Sequence, residues 1–160
     1  MTSPVHDFFS TSLADEIFDL VKDLANQRDE AGKFAAKIAK GGSSRILLRE
    51  VADIHAAIRR QPDAQFQHGD AAYPGVVVEV SYSQDGKDLK KLAQDYILYS
   101  NGDIKVVIGI DINYGEKEST VSLWRPHYSQ EGDEEILEMR QEIAAQVRYV
   151  ISSIAMLTLG

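Results

Sequence analysis

Four valines surround one glutamate in the run Val76-Val77-Val78-Glu79-Val80, which lies between the turns Tyr73-Pro74-Gly75 and Asp85-Gly86. β-branched side chains suit a pleated strand, and a run without polar alternation needs cover on both faces. The segment reads as a buried central strand with a charge inside it. A lone carboxylate there costs several kcal/mol, order of magnitude, unless something compensates. A bound metal ion, a salt bridge to a nearby Lys or Arg, or a place at the open end of the sheet would each do so. Side chains alternate along a strand, so Glu79 shares its face with Val77 and Ser81.

The neighbouring segments extend this strand into a unit. Leu89, Leu92, Ala93, Tyr96 and Ile97 repeat at helical spacing, and Asn101-Gly102 ends that helix. A second buried strand follows over 104–112. Strand, helix and strand at 76–80, 88–99 and 104–112 make a βαβ unit, which predicts that part of the sheet is parallel. Upstream, Leu13, Ile17, Leu20, Val21 and Leu24 predict a helix over 13–26 with Ser12 as its cap, and a shorter helical stretch covers 30–40 until Gly41-Gly42 stops it. Residues 45–51 read as a strand. Residues 52–60 fit a helix, a second strand or a long hairpin, and Pro62 ends whatever precedes it. A short strand centres on Phe66. A third buried strand is expected over 120–124, and Ile136, Met139, Ile143, Ala144, Val147 and Val150 predict a last helix over about 133–153. The expected architecture is one α/β domain with a mixed central sheet and flanking helices.

Composition and spacing exclude several chemistries. The chain has no cysteine, so disulfides, thiolate zinc sites and a cysteine nucleophile are ruled out. No phosphate-binding P-loop, Gly-x-Gly-x-x-Gly fingerprint or Gly-x-Ser-x-Gly elbow is present. His6, His55, His68 and His127 are too scattered for a zinc motif. No run approaches the ~18 apolar residues of a membrane span, and the first ten residues lack the basic cluster of a signal peptide; an intracellular protein is expected. The net charge of −8 argues against holding nucleic acid by backbone neutralisation alone. Acidic groups can instead solubilise the surface or gather around divalent ions, which invert the local field.

What remains is a pair of acids, Asp63 after Pro62 and Glu79 sixteen residues later on the valine strand. Together with the amphipathic helix that follows, they resemble the PD-(D/E)xK phosphodiesterase superfamily, the fold of restriction endonucleases and DNA-repair nucleases. The running pattern RRQPDAQFQH, YPGVVVEVSYSQ, LKKLAQDYILYSNGDIKVVIGIDI is similar to that of its fungal members over about residues 44–126. The resemblance implies a restriction-endonuclease-like core, flanked here by helices at about 13–40 and 133–153. It implies Mg²⁺ or Mn²⁺ as cofactor, held by Asp63, Glu79 and the backbone carbonyl of Val80, with hydrolysis of a phosphodiester bond as the reaction. Glu16, at the edge of the first helix's apolar face, is the candidate for the extra acid that some members bring from that helix.

The chain departs from the motif at one place. The family sets a lysine two residues after the second acid, and Ser81 stands there, without the charge that would orient water and stabilise the transition state. Some relatives recruit the lysine from the following helix, where Lys90 and Lys91 lie, with Lys87 in the turn before it; Lys91 completes the candidate catalytic set with Asp63 and Glu79. Gln84 is a further polar candidate. Arg45, Arg59, Arg60, Lys87, Lys90 and Lys91 could form a basic patch for nucleic acid. Trp124 and Tyr128 could stack on a base or close the edge of the sheet, and the acidic run from Glu131 to Glu135 is expected to cap the last helix. The apolar stretch 147–159 offers packing across the sheet, a homo-oligomer contact through the C-terminal helix, or continuation into a longer chain. Two functional classes follow: a metal-dependent nuclease, or a degenerate nuclease-fold module that binds protein or nucleic acid. An unrelated α/β domain with a salt-bridged Glu79 is the third reading.

Overall fold

A computed structural model describes residues 4–50, 53–82, 87–113 and 119–147. The described residues form a mixed α/β fold whose central sheet is mostly antiparallel. In chain order the elements are α1 (Pro4–Ala25), α2 (Glu30–Ala35), β1 (Ile38–Lys40), β2 (Ile46–Glu50), β3 (Asp53–Arg60), β4 (Ala64–His68), β5 (Val76–Tyr82), α3 (Leu89–Tyr99), β6 (Val106–Ile112), β7 (Ser119–Glu131) and β8 (Glu134–Val147). Six strands form one sheet in the order β1-β4-β5-β6-β7-β8, while β2 and β3 make a separate antiparallel ribbon. The valine strand β5 lies inside the sheet and pairs in parallel with β6 from Val76 opposite Val106 to Tyr82 opposite Ile112. The βαβ unit is therefore present, and the remaining ladders of this sheet are antiparallel.

Alternation along β5 divides the core in two. Val78, Val80 and Tyr82 face one side with Phe66, Ile110 and Ile112, where α1 covers them with Phe9, Leu13, Ile17 and Phe18. Val77 faces the other side, where Ala93, Tyr96 and Ile97 of α3 pack with Ile46 and Leu48 of the ribbon. Glu79 has the parity of Val77 and so points under α3. Gly109, opposite Glu79 in the parallel register, lets the Trp124 ring lie close above β6, since a Cβ there would sit 2.6 Å from that ring. No helix among the described residues is long and apolar enough to cross a membrane.

Several boundaries differ from the sequence reading. The first helix begins at Pro4, well before the expected cap at Ser12. The second helix is only six residues long, N-capped by Asp29, whose Oδ1 accepts from Gly32 N at 2.8 Å; residues 38–40 instead pair with β4. Residues 53–60 resolve to the hairpin alternative, as β3. The largest correction concerns the helix expected over 133–153. Residues 134–147 are a strand, paired with β7 from Glu131 opposite Glu134 to Ser119 opposite Val147. Gly132, at φ 62°, makes the tight reversal, and the edge of β7 then satisfies the backbone that helical spacing would have satisfied internally. The acidic run around Glu131 therefore flanks a hairpin turn rather than capping a helix. The homo-oligomer expected through a C-terminal helix loses that helix as far as Val147, and residues 148–160 lie outside the described residues.

Candidate functional site

The site forms where β4 stops and β5 continues. Pro62, which has no N–H to give, precedes β4, and the ladder between Ala64 and Val78 extends only to the bond from Asp63 N to Val78 O at 3.1 Å. Beyond that point β4 offers β5 no further ladder pairs. At Val80 side chains take their place. The N–H of Val80 donates to Asp63 Oδ2 at 2.6 Å, and the carbonyl of Val80 accepts from Lys87 Nζ at 3.1 Å. His6, reaching over from the first turns of α1, sets its Nε2 at 3.1 Å from the same carbonyl and 3.5 Å from Asp63 Oδ1.

Lys87 is the centre of this arrangement. Its Nζ stands 2.8 Å from Asp63 Oδ2 and 2.5 Å from Glu79 Oε2, besides its bond to Val80. The two carboxylates and the backbone carbonyl named from the sequence as metal ligands thus converge on one point, and an ammonium stands there. Glu79 is held from its other side as well, by the Tyr96 hydroxyl, which donates to Oε1 at 2.6 Å. Glu79 and Tyr96 are buried, with 2% and 0% of their surface exposed. Lys87 and Asp63 remain partly open to solvent. A polar cavity of about 550 Å³ adjoins the site, lined by His6, Ser10, Thr11, Gln61 and Asp63 among others.

The electrostatics follow from two acids sharing one base. Burial pushes the Glu79 carboxyl above the ordinary range, against the pull of Lys87 and of the Tyr96 hydrogen bond, and the Asp63 charge pushes the same way as burial. Burial works against the Lys87 ammonium, but Glu79 and Asp63 outweigh it and hold its pKa above the ordinary lysine value. Tyr96 is raised strongly by burial and by the charge of Glu79, so its hydroxyl keeps its proton and stays a donor.

Hard oxygen donors, two of them anionic, are the set that suits Mg²⁺ or Mn²⁺. Asp63, Glu79 and the Val80 carbonyl fit such an ion by chemistry and by convergence, with His6 nearby. They provide only two acidic side chains, and among the described residues no group of three or more His, Cys, Asp or Glu is disposed to hold a metal. An ion and the Lys87 ammonium would compete for the same oxygens.

The other candidates fall elsewhere. Lys91, expected to be catalytic, turns its ammonium to Asp95, which also binds Arg60 at 2.5 Å. The lysine on the two acids is Lys87, four residues earlier, just before α3; on the helix itself Lys91 pairs with Asp95, and it is Tyr96 that meets Glu79. Lys90 is exposed, and Glu16 is exposed on α1. The residue that α1 brings to the site is His6, which the sequence reading left among the scattered histidines. Ser81 is buried, with its Oγ donating to the Tyr82 carbonyl at 3.3 Å. Trp124 is buried in the core on the α3 side, which removes it from base stacking, whereas Tyr128 is exposed. Arg59 is exposed on the ribbon, and Arg45 is exposed just before it. Gln84 lies outside the described residues. Tyr96 was visible only as one apolar position of α3; that its hydroxyl reaches Glu79 follows from the α3 packing, which no local pattern carries.

Comparisons of the chain with protein-family models, with curated proteins and with solved structures find no match.

Proposed function

We propose that this chain is a divalent-metal-dependent phosphodiesterase of the PD-(D/E)xK type, with a restriction-endonuclease-like core and Asp63, Glu79 and the Val80 carbonyl as its metal-holding set. The observation that supports this reading is the convergence of those three groups on one cation, the Lys87 ammonium. A bound Mg²⁺ or Mn²⁺ would supply charge stabilisation and a more acidic water. The chain's own residues have separable roles. Asp63 and Glu79 bring negative charge to one point at the end of β5. Tyr96 fixes the rotamer of Glu79. Lys87 is the positive group that Ser81 does not provide, in reach of both acids, and it replaces Lys91 as the candidate catalytic lysine.

One observation favours a second reading. Lys87 already satisfies the three oxygens, so the chain could be a nuclease-fold module whose ammonium has taken the place of the ion. Titration calorimetry with Mn²⁺ separates the two, using wild type, Lys87→Met, and Asp63→Asn with Glu79→Gln. The phosphodiesterase reading expects saturable binding by wild type, tighter binding by Lys87→Met, and none by the double variant. It further expects Mn²⁺-dependent cleavage of a nucleic-acid substrate by wild type that is lost in Lys87→Met. Binding by Lys87→Met alone would identify the ammonium-filled module, and binding by neither protein at millimolar Mn²⁺ would remove the metal site.

A further inference from the structure

A second concave site lies beside the first, between the start of the ribbon and the face of β4. Its volume is about 550 Å³, and Arg45, Arg49, Gln65, Gln67 and Tyr73 line it. Two features mark it as a built groove. Gln65, itself buried, donates from Nε2 to the Ser44 carbonyl at 2.6 Å, which pins the entry to β2 against β4. Gln67 donates to the Ala71 carbonyl at 2.7 Å, which fixes the loop leading to Tyr73. The walls are therefore held in place before any ligand arrives.

The charge within it is distinctive in a chain of net charge −8. Leu47 and Arg49 share one parity along β2 and stand on the face turned from the core residues Ile46 and Leu48, and Arg45, exposed just before the strand, lines the same groove. Arg59 lies opposite Leu47 in the ribbon and extends the same basic face. Among the described residues none of these three arginines forms an ion pair with an acid. Arg45 and Arg49 both line the groove, four residues apart and so no more than about 14 Å apart along the chain, a reach that brackets more than one phosphate of an extended strand. The half-buried Tyr73 ring offers a stacking surface of the kind single-stranded nucleic acids use. A cleft of this size takes a base and its sugar-phosphate, whereas a duplex must be read by an element that enters its own grooves.

We propose that this groove binds single-stranded nucleic acid, with Arg45 and Arg49 on the phosphates and Tyr73 against a base. Gln65 lies two residues after Asp63, at the start of β4, so a strand lying in the groove runs toward the acid cluster. That last clause rests on the phosphodiesterase reading; the binding itself does not.

The test is fluorescence anisotropy with a labelled oligothymidylate of about ten nucleotides, and with oligouridylate of the same length, at low salt and with EDTA so that neither metal nor cleavage contributes. Wild type is expected to bind at least one of the two saturably. The double variant Arg45→Ala, Arg49→Ala is expected to bind at least about tenfold more weakly, and to lose about 1.4 from the slope of log affinity against log salt, two contacts at about 0.7 each. Arg28→Ala, an exposed arginine elsewhere with the same change of charge, should match wild type. Arg45→Lys with Arg49→Lys should keep most of the affinity and the salt slope, which separates lost phosphate contacts from a damaged ribbon. Failure of wild type to bind either oligonucleotide, or equal weakening by Arg28→Ala, would overturn the proposal. Asp63→Asn with Glu79→Gln should retain oligonucleotide binding while losing Mn²⁺, so each reading can fail alone.

Discussion

Glu79 has two partners with different consequences, and single substitutions can tell them apart. Lys87 opposes its charge, while Tyr96 donates a neutral hydrogen bond to the other oxygen. Tyr96→Phe removes that donor and leaves a buried carboxylate oxygen without its partner, a loss of about 1–3 kcal/mol in unfolding free energy; urea denaturation would measure it. Because the Tyr96 bond lowers the Glu79 pKa, the same variant should raise that pKa further, so Mn²⁺ affinity should begin to fall at a higher pH than in wild type and recover as pH is raised. A merely structural role for Tyr96 would shift stability and leave the pH profile of binding in place. Glu79 itself gives a second test. Its folded pKa is raised above the ordinary value of 4.5 by burial. A raised pKa means that the folded chain holds the proton more tightly than the unfolded one. The stabilisation from this group is then complete below the unfolded pKa and is lost as pH rises through the folded value. Glu79→Gln, which keeps the shape and cannot titrate, should remove that part of the pH dependence. Stability of wild type relative to Glu79→Gln should decline as pH rises from about 4 towards 7, and a flat difference over that window would contradict the assignment.

At the scale of elements, β5, α3 and β6 were legible because their signals are local and mutually consistent. A β-branched run, a helical stripe through Leu89, Leu92, Ala93 and Tyr96, and a second apolar run all specify one βαβ unit. Glu79 was legible because a carboxylate among valines is a costly local choice, whereas Asp63 was singled out through the resemblance that pairs it with Glu79. Strand β8 was not legible. Ile136, Met139, Ile143 and Val147 are spaced as a helix would space them, and only the long edge of β7, reached through the reversal at Gly132, decides for strand. His6 was missed as a site residue, and Lys87, named in the turn before the helix, was passed over for Lys91, because each arrives through packing, the one over the sheet on α1 and the other from the residues before α3. Gly109 shows the same dependence on a distant neighbour. It reads as a weak point in a strand, yet the Trp124 ring occupies the space over it, with Leu89 close by at 3.3 Å from a built Cβ. Gly109→Ala should therefore cost about 1–3 kcal/mol by overcrowding, although alanine suits a strand better than glycine. A thermal melt of the variant would register this as a lower Tm; an unchanged or raised Tm would mean that Trp124 moves aside without cost.

For the molecule as a whole, the phosphodiesterase reading would make metal binding and folding a single equilibrium, because its ligands are assembled by the fold. Asp63 and Glu79 meet only when β4 has stopped at Pro62 and β5 has continued past it, so the unfolded chain offers an ion no comparable pair of ligands. An ion that binds the folded state alone stabilises it by RT ln(1 + [L]/Kd), about 2.7 kcal/mol at a hundredfold excess over Kd. Before it binds, the ion must displace an ammonium held tightly by both acids and meet a Glu79 whose proton is retained above the ordinary carboxyl range. Both features oppose the metal, but they respond differently to pH. Raising the pH removes the Glu79 proton, whereas Lys87 stays charged, its pKa lying above the ordinary 10.5. The Tm increase produced by a fixed Mn²⁺ concentration should therefore grow as pH rises above the ordinary carboxyl range and level off once the Glu79 proton is gone. The plateau should stand higher in Lys87→Met than in wild type, and Asp63→Asn should show no increase at any pH. Differential scanning fluorimetry across this rise in pH, in buffers that do not chelate Mn²⁺, reads all three. A Tm increase that survives in Asp63→Asn would assign the ion to another part of the acidic surface. No increase in Lys87→Met would mean that the oxygens now gathered around the ammonium do not hold a divalent ion.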